Sequence, residues 1–169
     1  STKSREGKLD RKMHQSKKGN QWYFGMKSHI GVDDATGLVH SLVNTAANVH
    51  DLTPAPELLH GQEQRVFADS GYRGIEKRDE HLERKVDWHI AMCPGKRKVL
   101  SDDPSDQRRE RMEQIKASIR AKVEHPFRVI KRQFGFTKVR YRGMAKNGNH
   151  LHTLFALGNL YMSRRYLPI

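Results

Sequence analysis

The sequence predicts an α/β domain in which a mixed sheet, opened by a β-hairpin, is flanked by helices. Three observations lead there. Apolar and polar residues alternate from Trp22 to Val32 and again from Leu38 to Ala47, the two-residue period of strands. Strand-like and helix-like stretches then alternate as far as Met92, an order that calls for helical crossovers on a mixed sheet. From Pro104 onward apolar residues recur every three or four positions, the repeat of amphipathic helices.

Residues 1–21 show no periodicity and read as a basic flexible segment with no strand in it; residues 22–169 read as the folded domain. On the first strand Trp22, Phe24, Met26, Ile30 and Val32 share one face, with Tyr23, Lys27, His29 and Asp33 on the other. That alternation makes Trp22 and Tyr23 core and core-edge residues. Asp34-Ala35-Thr36-Gly37 is turn chemistry, and the strand that follows alternates through Val39, Val43 and Ala47. Thr53-Pro54 reads as an N-cap followed by proline in the first helical position, opening a short helix through Leu59. Arg65 to Asp69 is a brief apolar run ending in an acid, and Ser70-Gly71 turns the chain. A helix near Ile75–Arg84, a strand near Val86–Met92 and a basic loop at Pro94-Gly95-Lys96-Arg97-Lys98 follow. A long helical pattern runs from Pro104 to Phe134 through Met112, Ile115, Ile119, Val123, Phe127 and Ile130. Pro126 inside it is expected to kink it or end its first half. After a loop rich in glycine and basic residues, Leu151, Leu154, Phe155, Leu157 and Tyr161 mark a last helix over Lys146–Arg165.

Charge narrows the function classes. The net charge is +13, and its distribution says more than its total. Residues 1–19 carry seven Lys or Arg against two acids, residues 20–95 seven against eleven, and residues 96–169 eighteen against six. An acidic centre between basic arms suits a polyanion ligand with a carboxylate site in the middle. A basic structural protein of the ribosome or nucleoid has the same charge without catalysis. The single cysteine, Cys93, excludes an internal disulfide framework and suits a reducing cytoplasm. No apolar run approaches the ~20 residues of a membrane-spanning helix, and no secretory signal pattern opens the chain. The ten histidines show no zinc-type spacing with cysteine.

Two acids stand out. Asp69 ends a buried strand just before a tight turn, where open sheets place their chemistry; an Asx-turn or helix cap accounts for it equally. Glu124 lies on a helical stripe with Arg120 and Lys131, about 40° wide at 100° per residue. Its plain reading is an i,i+4 pair on a solvated helix, worth ~0.3–0.5 kcal/mol. Together the two read differently. Asp69-Ser70-Gly71-Tyr72, followed by Arg120, Glu124 and Lys131 spaced Arg-x-x-x-Glu-x-x-x-x-x-x-Lys, resembles the signature of bacterial insertion-sequence transposases of the DDE class, which carry an RNase H-like catalytic domain. The stretches Gly19 to Lys27, Ala47-Asn48-Val49-His50-Asp51 and Ile119 to Phe136 resemble the same family. Ala117 departs from the pattern, standing where the family has a tyrosine.

The resemblance implies DNA transposition: cleavage and strand transfer at insertion-sequence ends, on two Mg²⁺ or Mn²⁺ ions held by three carboxylates. Asp69 and Glu124 match the second and third of these acids. Arg120 and Lys131 match family positions that would contact DNA phosphates, and Arg128, Lys96, Arg97 and Lys98 add basic charge for DNA. The implied partners are double-stranded DNA (terminal inverted repeats and target) and further copies of the chain, with no membrane; the implied setting is the bacterial cytoplasm and nucleoid. The first family acid lies on a strand upstream of the one at Trp22, and Asp10 sits in a charged loop context. The expectation is that this first strand and its acid are missing, so that the chain alone has little or no activity; a truncated, inactive DNA-binding remnant is the alternative. Asp33 and His50-Asp51 are further acids and bases that could approach the site, although each also fits turn chemistry.

Overall fold

The computed structural model describes residues 12–166. Chain order is β1 His14–Lys18, β2 Gln21–Val32, β3 Val39–Ala46, α1 Ala55–Leu58, β4 Arg65–Ala68, β5 Asp87–Ile90, α2 Pro94–Arg97, α3 Pro104–Arg132 and α4 Met144–Ser163. The described strands form two sheets rather than one mixed sheet: an antiparallel β1-β2-β3 and a parallel β4-β5 pair.

The β2–β3 hairpin forms where the alternation predicts it, with Met26 opposite Ala46 and Ile30 opposite Leu42. Asp33 closes its turn, accepting from the Thr36 N–H and hydroxyl at 2.7 Å each, while Gly37 takes a left-handed φ of 73° that costs glycine little. β1 is a correction to the flexible reading of residues 1–21. His14 to Lys18 pair with Gln21 to Gly25, and residues 1–11 lie outside the described part. The strand has no apolar alternation because it borders the solvent-exposed half of β2, where no core imposes a pattern. Trp22 and Tyr23 are corrected likewise: they are 64% and 48% exposed.

The core lies between the β2–β3 hairpin and two helices. Ile130 of α3 and Leu151, Leu154 and Phe155 of α4 are buried together, with Met26, Ile30, Val39, Leu42 and Phe127 packed on them. Phe127 meets Phe155 edge-to-face at 5.4 Å. Two asparagines do backbone work here. Asn159 of α4 accepts from the Val39 N–H at 3.0 Å and donates to the Val39 C=O at 2.8 Å, pairing the β3 backbone as another strand would. Asn147, fully buried, ties its side chain to both backbone groups of Tyr141 and to the Gly143 C=O, which orders the loop before α4.

Two further predictions change and a third narrows. Of the two outcomes expected at Pro126, an end to the helix does not occur, since α3 continues to Arg132: proline removes one helical hydrogen bond, but the ring is buried, so packing holds the turn together. Thr53 is not the cap of α1; Pro54 occupies that position without a side-chain cap bond. The helix expected at Ile75–Arg84 is a run of single 3₁₀ turns at Ser70–Tyr72, Ile75–Lys77 and Asp79–His81. Arg78, extended at φ −81° and ψ 142°, breaks that span, since an extended residue cannot continue a helix. No described helix is long and apolar enough to cross a membrane.

Candidate functional site

Asp69 stands one residue past β4, caps the 3₁₀ turn Ser70–Tyr72 and accepts from the Gly71 N–H at 2.8 Å. The Asx-turn reading is therefore its local structure, and it leaves the second carboxylate oxygen pointing elsewhere. A second carboxylate shares the spot. A Cβ on Gly71 would stand 3.0 Å from Asp69 Oδ1 and 3.3 Å from Asp51 Oδ2, so glycine is what lets two acids close on one turn. Asp51 also accepts from the Lys27 Nζ at 3.0 Å, and that ammonium donates to the Val49 C=O at 2.9 Å. Lys27 and Asp51 are each about a third exposed. The Tyr72 hydroxyl, next in the turn, is pushed up to about 12 by burial and by the negative charges of Asp51 and Asp69.

Lys27 and Asp51 join Asp69 through tertiary structure. The signal for them was faint: Lys27 falls on the polar face of the predicted strand, and Asp51 follows the end of the next. His50, beside Asp51, is spent locally, its Nδ1 accepting from the Leu52 N–H at 3.2 Å. Asp33 is committed to the hairpin turn, and the Thr36 hydrogen bonds hold its carboxyl below the usual carboxylate range.

Glu124 is exposed on α3. It lines a shallow groove of roughly 480 Å³ with Phe127, Arg128, Lys131 and Arg132, all from the same helix. Arg120 is half-buried one turn earlier. Among the described residues no hydrogen bond or ion pair joins Glu124 to Asp69. The basic loop forms the one-turn helix α2, and its three cations differ in fate. Arg97 donates from Nε to Glu110 of α3 at 2.8 Å, while Lys96 and Lys98 stay exposed.

A divalent cation of the Mg²⁺ type takes oxygen donors in near-octahedral geometry, and carboxylates are the right chemistry. The geometry falls short: among the described residues no three His, Cys, Asp or Glu side chains gather where they could hold a metal ion, and Asp51 already carries an ammonium partner. The described residues alone do not fit a two-metal centre, and no step is routed through one below.

No solved structure matches this chain. A family model described as "Transposase DDE domain" matches residues 2–160, a span that includes the strand-end acid, the hairpin and α3 with its basic face. The chain belongs to the transposase DDE domain family.

Proposed function

We propose that this chain takes part in DNA transposition as an RNase H-like catalytic domain for phosphodiester cleavage and strand transfer at insertion-sequence ends, with Asp69 and Glu124 as two of its acids. The observation that carries this reading is the placement of Asp69: a carboxylate past the carboxyl end of a parallel strand, sharing the Gly71 turn with Asp51, in a chain of this family. When bound, Mg²⁺ or Mn²⁺ would neutralise the phosphodiester and activate the attacking oxygen. This chain's own residues do the rest. Arg128 and Lys131 border Glu124 and bind DNA phosphates beside it, where cations contribute affinity without reading sequence. Arg120, Lys96 and Lys98 extend that basic surface. Lys27 holds Asp51 and leaves Asp69 the less neutralised of the two carboxylates at the turn. Action on paired DNA ends by several copies of the chain belongs to the same reading.

That no three-donor cluster forms among the described residues favours a second reading as well, a DNA-binding form that is catalytically inactive by itself. One experiment separates them. The purified chain is incubated with labelled duplex carrying insertion-sequence ends and Mg²⁺ or Mn²⁺, and strand cleavage is followed on denaturing gels. The expected result is DNA binding with little or no cleavage, because the described residues supply no three-donor cluster. Strong cleavage abolished by Asp69→Asn and Glu124→Gln would overturn the inactive form. Strong cleavage that survives both substitutions would overturn the assignment of these acids.

A further inference from the structure

The β1–β2 hairpin presents three adjacent aromatic rings to solvent. Trp22 is 64%, Tyr23 48% and Phe24 38% exposed. Apolar rings left side by side in solvent, as Trp22 and Phe24 are, mark a contact site. Register places Lys17 opposite Trp22 and Gln15 opposite Phe24, and the Lys17 ammonium lies 5.8 Å from the Trp22 ring centre. Trp22 and Phe24 fall on one face, two residues apart, a repeat of about 7 Å and hence about two base-stacking steps. Tyr23 is on the opposite face, its hydroxyl donating to the Gln21 side-chain Oε1 at 2.8 Å. From Lys12 to Val32 the sequence contains four lysines and no Asp or Glu, and one of the four, Lys27, is paired with Asp51.

An ammonium beside flat aromatic surface is the chemistry that holds unpaired nucleotides: cations track the backbone while rings stack on bases. Duplex DNA offers phosphates but hides the faces of its bases. A second copy of this chain would set one lysine-rich ribbon against another, which like-charge repulsion opposes. We infer that the β1–β2 hairpin binds single-stranded DNA, stacking bases on Trp22 and Phe24 with Lys17 on the backbone. The inference rests on the DNA reading proposed above and adds a second contact surface, distinct from the α3 face.

The test uses the whole chain. Binding of a fluorescein-labelled oligo(dT) and of a blunt duplex is measured by anisotropy at equal phosphate concentration, for wild type, Trp22→Ala and Phe24→Ala. Both substitutions remove exposed rings and leave the core untouched. Each is expected to weaken oligo(dT) binding about tenfold and to leave duplex binding within about twofold. In a Trp88→Phe background Trp22 is the remaining tryptophan, and its emission is expected to be quenched by oligo(dT) and not by duplex. Equal loss on both DNAs, or loss on neither, overturns the stacking role while the DNA reading stands. A concentration-dependent shift of Trp22 emission without DNA, abolished by Phe24→Ala, overturns it in favour of self-association. Failure of the wild type to bind either DNA sinks the DNA reading and this inference with it.

Discussion

His81 shows what a single residue costs when the fold gives it no partner. It is 1% exposed, its ring meets Trp88 edge-to-face at 5.3 Å, and neither ring nitrogen has a hydrogen-bond partner among the described residues. Burial pushes its pKa below the ordinary imidazole value, and the positive charge of Arg84 adds to the effect. The unfolded chain therefore takes up the proton first. The contribution of this site to stability is fully present above about pH 6.5 and is lost as pH falls through the lower folded value. His81→Leu removes two buried polar atoms and the titration together. Thermal midpoints across about pH 5–7.5 should show a gain of about 1 kcal/mol at neutral pH and a shallower decline on the acid side. A variant less stable than wild type at every pH would mean that the ring has a polar partner after all.

At the scale of elements, α3 organises the molecule by fastening itself in three places. Near its start Glu113, 5% exposed, accepts from the Met92 N–H at 2.8 Å, and Lys116 donates to the Ile90 C=O at 3.0 Å and to Glu113 at 2.8 Å. This latches α3 to the chain leaving β5. In the middle Lys122 reaches Asp34 of the hairpin turn, and toward the end Val129 and Ile130 are buried. Burial alone would raise the Glu113 carboxyl, but Lys116 and the Met92 N–H outweigh it and hold it below the usual range. Stability from the latch is thus complete above the ordinary carboxylate pKa and disappears as pH falls through the lower folded value. Glu113→Gln should cost about 2–3 kcal/mol at neutral pH and converge with wild type in acid, as read by urea melts at several pH values; an unchanged gap in acid would mean that charge is not what the latch uses. Little of this latch was legible beforehand, because a Glu and a Lys three apart look the same on any solvated helix. The elements whose side chains face the core were legible: the alternation of Met26, Ile30, Val39 and Val43 marks the hairpin, and the spacing of Phe127, Ile130 and Phe134 marks α3. β1 was not, since it pairs with the exposed end of β2 at Gln21 to Phe24, and residues 75–84 were not, since their helix formers are cut by the extended Arg78. For the site, the position of Asp69 before its turn was readable from its neighbours. Asp51, at the end of the hairpin, reads as an acid that could approach it, whereas the part of Lys27 depends on how separate strands meet, which no local pattern encodes.

For the molecule as a whole, the excess of cations matters only where they are free to meet phosphate. Of the 32 Lys and Arg, several are bound to acids: Lys27 to Asp51, Arg97 to Glu110, Lys116 to Glu113 and Lys122 to Asp34. A cation already paired gains little by exchanging its carboxylate for a phosphate, whereas one facing solvent releases a condensed counterion when it binds DNA, about 0.9 in salt slope for each contact. On α3, Arg128 and Lys131 are exposed along one groove beside Glu124. Arg97 lies in a basic sequence run of equal promise, yet its guanidinium is held by Glu110. The slope of log affinity for duplex DNA against log salt separates the two cases. Arg128→Ala with Lys131→Ala should flatten that slope by about two, while Arg97→Ala leaves it unchanged. The reverse outcome, with the paired arginine carrying the salt dependence and the α3 pair silent, would move the DNA surface away from Glu124 and remove the reason to place the acid beside a phosphate.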